Sequence, residues 1–88
     1  MPRIKKTITE ALSLPKEVMF GLPYLTLTGK EEILIENHKG IIWADCALMK
    51  IKSSCGIINI TGKCLSIREI SPGLIRVSGN IEKLEFLI

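Results

Sequence analysis

The sequence is poor in the residue types that most often carry chemistry. Its 88 residues include one histidine, His38, one aspartate, Asp45, and only four aromatic residues. An active site needs an acid, a base or a nucleophile converging on one point, and single copies of His and Asp leave little to converge. Cys46 lies beside Asp45 and near His38, so a Cys–His pair can be drawn. Adjacent strand residues face opposite ways, which argues against it. The chain is therefore read as non-enzymatic. Few aromatics also argue against a nucleic-acid platform, which stacks bases on exposed rings framed by Lys and Arg. Lys50, Lys52, Arg68 and Arg76 would frame such a face, but Trp43 stands alone, and Phe20, Tyr24 and Phe86 are read as core residues.

Other absences narrow the class further. No apolar run approaches the roughly 20 residues that a transmembrane helix needs. Arg3, Lys5 and Lys6 are not followed by an uninterrupted apolar stretch or a small-residue cleavage site, so no secretory leader is expected and the chain should stay in the compartment where it is made. The glycines are scattered singly, with neither GxGxxG nor a P-loop, and no cofactor is expected. Cys46, Cys55 and Cys64 are odd in number and contain no CxxC pair. That disfavours both a disulfide framework and a closed zinc site. They are read as reduced, half-buried thiols, evenly spaced because strand-and-turn units of similar length repeat.

What is present is apolar and aliphatic. Hydrophobic residues make up 47% of the chain and charged ones 24%, with a mean hydropathy of +0.32. This is too apolar for a disordered chain and long enough for one domain. The net charge of +3 is spread along the sequence and reads as a weakly basic, solvated surface.

Two regions follow, an arm over 1–23 and a β-strand unit over 24–88. In the arm, Ile4, Ile8, Ala11 and Leu12 recur at helical spacing, so a short helix is expected to end near Ser13, before Pro15. Lys16 to Phe20 add one further turn. Beyond it, Tyr24–Thr28 alternates and is rich in β-formers. Alternation then persists in short segments that place Ile33, Ile35, Met49, Ile51, Ile58, Ile60, Leu65, Ile67, Ile75 and Val77 on one face. Glu32, Glu36, Lys50, Lys52, Arg68 and Arg76 fall on the other. With turns at 37–40, 53–56, 62–63, 71–73 and 79–80, this gives seven or eight strands. The expected fold is all-β with a short N-terminal helix, an antiparallel meander curled into a partial barrel or sandwich. A short β-solenoid is the alternative, because Ile60-x-Gly62-x-x-Leu65-x-Ile67 is echoed by Val77-x-Gly79-x-x-Glu82-x-Leu84.

Two features suit contact with a partner. Arg3, Ile4, Lys5 and Ile8 make the arm basic and amphipathic, a form that rests on anionic membrane surfaces. The ending Leu84-Glu85-Phe86-Leu87-Ile88 is an apolar strand that leaves an open edge, for a second copy or a partner strand, with Leu84, Phe86 and Ile88 as its contact residues.

The stretch Ala11-Leu12-Ser13-Leu14-Pro15-Lys16-Glu17-Val18 resembles the opening of the YqfC/YabP family of sporulation proteins. The likeness continues through Leu22-Pro23, Gly29 and Ile35-Glu36-Asn37-His38-Lys39-Gly40-Ile41. It extends to Gly62-Lys63-x-Leu65-x-Ile67-Arg68 and Gly79-x-Ile81-x-x-Leu84-Glu85-Phe86. The resemblance implies a protein made in the mother cell of endospore-forming bacteria, in the cytoplasm and peripheral to the forespore membrane. Its expected role is that of an interaction or scaffold subunit with a YqfD-like membrane sporulation protein as partner. The alternative is a self-assembling, homo-oligomeric component of a spore layer or coat. The family brings no catalytic residues to carry over.

Overall fold

The computed structural model describes residues 21–88. The expected helix over 4–13, the turn over 16–20 and Arg3, Ile4, Lys5 and Ile8 lie outside them. Six strands follow in chain order: β1 (Tyr24–Thr28), β2 (Glu32–Glu36), β3 (Gly40–Ala44), β4 (Leu48–Ser53), β5 (Gly56–Ser71) and β6 (Leu74–Leu87). All pairings are antiparallel, in one sheet ordered β1-β2-β6-β5-β4-β3. The all-β, antiparallel expectation holds, and the sheet is not closed.

β5 and β6 form one long hairpin that belongs to two layers. Residues 56–61 of β5 pair with β4, and residues 66–71 pair, among the described residues, only with β6. Residues 74–78 of β6 pair with β2, and residues 83–87 pair, among the described residues, only with β5. The first layer is thus β3, β4, and the segments 56–61 and 83–87. The second is β1, β2, and the segments 66–71 and 74–78. A short link shows that they are folded face to face. Only three residues join β2 to β3, a path of about 14 Å at most. A flat sheet would separate these strands by four spacings, about 19 Å. Packed layers lie about 10 Å apart, which the link can cross. Ile33, Ile35, Ile75 and Val77 of the second layer therefore meet Met49, Ile51, Ile58 and Ile60 of the first in one core, closed by Leu65 and Ile81.

The fold-over is set at Gly62 and Gly79. A Cβ on Gly62 would fall on the Asn80 carbonyl oxygen, and one on Gly79 would lie 2.6 Å from the Cys64 carbonyl oxygen. Each glycine lets one strand cross tightly over the other. Register shifts flank the crossing, between Thr61 and Gly62 and between Lys63 and Ser66, and such bulges bend strands. Backbone groups freed at the bend are recaptured by neighbouring turns. Gly62 and Leu65 donate to the carbonyls of Ala47 and Cys46, at 3.1 and 2.9 Å. Gly79 and Ile81 donate to those of Glu31 and Lys30, at 3.0 and 2.8 Å.

Several expectations are corrected. The pairs Gly62-Lys63 and Gly79-Asn80 are bends within strands, so six strands stand where seven or eight were read. The order is not a simple meander, because β2 pairs with β6 and not with β3. Antiparallel pairing throughout overturns the solenoid. The echoed Gly phrases face one another across the hairpin, Gly62 opposite Ile81 and Gly79 against Leu65. Phe86 and Ile67, expected inside, are 52% and 36% exposed. Both lie at the rim of an inward row, beyond the cover of the opposite layer.

Candidate functional site

The few chemically capable side chains are dispersed by the fold. His38 precedes β3 and Asp45 follows it, so a five-residue strand, about 17 Å, separates them. His38 Nδ1 accepts a hydrogen bond from the Gly40 amide at 2.9 Å, while its Nε2 is buried without a partner among the described residues. Asp45 organises the β3–β4 turn. Its Oδ1 accepts from the Ala47 and Leu48 amides, both at 2.8 Å, and its Oδ2 from the Trp43 indole at 2.9 Å. The Ala47 amide, then the indole, then the Leu48 amide hold this carboxyl below its ordinary range. Among the described residues no three His, Cys, Asp or Glu side chains gather as metal ligands would.

The three cysteines are free and exposed, not half-buried as expected. Cys46 and Cys55 sit in the β3–β4 and β4–β5 turns, and Cys64 at the β5 bend with φ of 55°. The regular spacing marks successive changes of chain direction. Arg76 lies between Glu32 at 2.8 Å and Glu69 at 3.2 Å on the outer face of the second layer. Hydrogen bonds to Glu32, then Glu69, raise its pKa further. This triad clamps β2, β6 and β5 together. Shallow recesses among the described residues open on the same layer. One, of about 330 Å³, lies between Tyr24, Glu36 and Leu74. Another, of about 470 Å³, is lined by Arg68, Ser66 and Ser78.

The open edges stand out more than any cleft. The outermost strands are β1 and β3, and β3 is blunted by a bulge at Ile42, where its register slips between Ile41 and Trp43. Among the described strands, folding the hairpin creates two more edges. Segment 66–71 is interrupted by a slip between Ile67 and Glu69, which leaves Arg68 unmatched. Segment 83–87 runs in regular register from Lys83 to Leu87. Leu84 packs against the core, while Phe86 is 52% exposed, Leu87 36%, and Ile88 fully exposed. Leu84, Phe86 and Ile88 are thus placed together on this edge. Trp43, Ile42 and Ile70 are also exposed. Trp43 shares the outer face with Lys50, and Ile42 sits in the bulge. Ile70, opposite buried Ile75, lies at the rim of an inward row, where alternation assigns a face and not the reach of the opposite layer.

This architecture defines a class of small all-β protein, a single antiparallel sheet doubled over with unpaired edges among its described strands. The chain belongs to the YabP family, whose match covers residues 22–87 and so spans all six strands. It is 33% identical over 85 residues to the uncharacterized protein YqfC of Bacillus subtilis (strain 168), across 97% of this chain and 91% of that protein. No solved structure matches the chain.

Proposed function

We propose that this protein is a non-catalytic interaction subunit of the sporulation machinery, which presents segment 83–87 of β6 to a strand of a membrane-protein partner. The observation that carries the proposal is the regular, unbulged register of that edge together with exposed Phe86, Leu87 and Ile88. Strand addition uses the free backbone groups for affinity and alternate side chains for specificity. Phe86 would supply the apolar anchor, and the partner belonging to a sporulation protein of this family would be YqfD-like. The site of action would be the mother-cell cytoplasm beside the forespore membrane.

Co-purification of the full chain with the detergent-solubilised partner tests this. Phe86→Lys should weaken capture at least about tenfold, the cost of one lost anchor, while Ile70→Lys on the other internal edge should leave it intact. Equal capture by both variants would remove segment 83–87 from the interface. A second reading rests on the same edge: two copies could pair there and build a spore-layer component. Sedimentation across a concentration series separates the two, since self-assembly needs no membrane protein and should also be lost in Phe86→Lys.

A further inference from the structure

The two outer faces of the folded sheet differ in charge and texture. On the first layer, register puts Trp43, Lys50, Asn59 and Glu85 in one cross-strand row. Lys52, Ile57 and Leu87 form the next row, and Leu48, Thr61 and Lys83 the third. Three lysines therefore face outward, interleaved with Trp43, Ile57, Leu48 and Leu87 around buried Asn59. Lys83 pairs with Glu85 at 3.7 Å, and Asp45 accepts from the Trp43 indole at the rim. Among the described residues this leaves Lys50 and Lys52 as the cations of this face without a partnered carboxylate. The second layer shows the reverse balance. Arg76 and Arg68, the latter donating to Ser78 at 2.8 Å, stand among Glu32, Glu36 and Glu69, and both arginine head groups are engaged by neighbours.

We infer that the outer face of the first layer docks on an anionic lipid surface. Lys52 is exposed, the Lys83 side chain is 65% exposed and Trp43 is 54% exposed. Lysines at an anionic surface each contribute about fivefold in affinity, and tryptophan favours the headgroup level, where its ring is half wet and half apolar. Lys50 and Lys52 beside Trp43, with Lys83 paired to Glu85, give weak, reversible docking that orients the molecule, with the acidic layer turned away. The inference shares Lys83, Glu85 and Leu87 with segment 83–87 but needs no strand paired on that edge, and it uses none of the residues 1–20.

Trp43 is the sole tryptophan, so its emission reports directly on this face. The full chain should show a saturable blue shift with vesicles of phosphatidylcholine mixed with phosphatidylglycerol, none with phosphatidylcholine alone, and reversal in high salt. The double variant Lys50→Glu/Lys52→Glu should lose at least about tenfold in vesicle affinity. Arg68→Glu, on the opposite face, should change it little, with circular dichroism verifying that both variants fold. Retained binding in the lysine variant, or equal loss in Arg68→Glu, would overturn the inference in favour of another surface or of net charge alone. A lipid-independent shift that grows with protein concentration would assign the face to a second copy. A shift produced only by a single-stranded oligonucleotide would assign it to nucleic acid. Either would overturn it.

Discussion

Asp45 stabilises its turn through charge as well as shape. Its carboxylate collects two backbone amides and the Trp43 indole, and these donors favour the ionised form. The folded pKa is therefore below the ordinary value of 3.8. A depressed carboxylate contributes stability above its unfolded pKa and loses it as pH falls through the folded one. Asp45→Asn keeps an acceptor but removes the charge. Its melting temperature should lie below that of the unaltered protein at neutral pH, and the gap should close as pH drops below about 4. A gap that stays constant from neutral to acid pH would show that the charge contributes nothing. Asp45 was visible in the sequence as the only aspartate, but not its role, because nothing in the local alternation says that the Trp43 indole reaches forward two residues to it. His38 was read as a polar turn residue, and its Nδ1 serves the Gly40 amide within the link that joins the layers.

Among the elements, the β5–β6 hairpin decides the architecture. Inward Ile33, Ile35, Met49, Ile51, Ile58, Ile60, Ile75 and Val77 were legible because a half-buried strand alternates with period two. The bends were not. A glycine followed by a polar residue writes the same local pattern for a turn between strands and for a tight crossing within one. What separates the cases is a contact with another strand, here between Gly62 and Asn80 and between Gly79 and Cys64. Gly62→Ala should accordingly destabilise the protein by about 1–3 kcal/mol, as overpacking does. Gly29→Ala, where an added Cβ meets nothing within 4 Å, isolates the cost of a positive φ alone. Urea midpoints of the two variants measure the difference, and a Gly62→Ala midpoint equal to that of the unaltered protein would show that the crossing relaxes freely. The same reasoning explains the rims. The sequence reading put Phe86 in the core, and register does set it opposite buried Ile58, but its exposure depends on how far the second layer extends.

The whole molecule is held by one core shared between two layers, and no layer has a buried face without the other. Ile58→Ala in the first and Ile33→Ala in the second should each cost about 2–5 kcal/mol. Both layers should melt together, so Trp43 fluorescence in the first and far-ultraviolet circular dichroism over both should give coincident denaturation curves. Separate midpoints would mean that the layers are independent units. The link of Asn37, His38 and Lys39 has one more consequence, in the order of assembly. β3, β4 and the start of β5 are joined by short connections and can pair as soon as they are synthesised. The β1–β2 hairpin is made first, yet its sheet neighbour is β6, about 40 residues later in the chain. On the ribosome the earliest strands must therefore wait, with the apolar side of Ile33 and Ile35 uncovered, until the latest strand emerges. Pairings this distant are slow to form. The final closing of the fold thus waits for β6 to emerge, and a nascent chain halted before β6 offers chaperones a ready apolar hairpin.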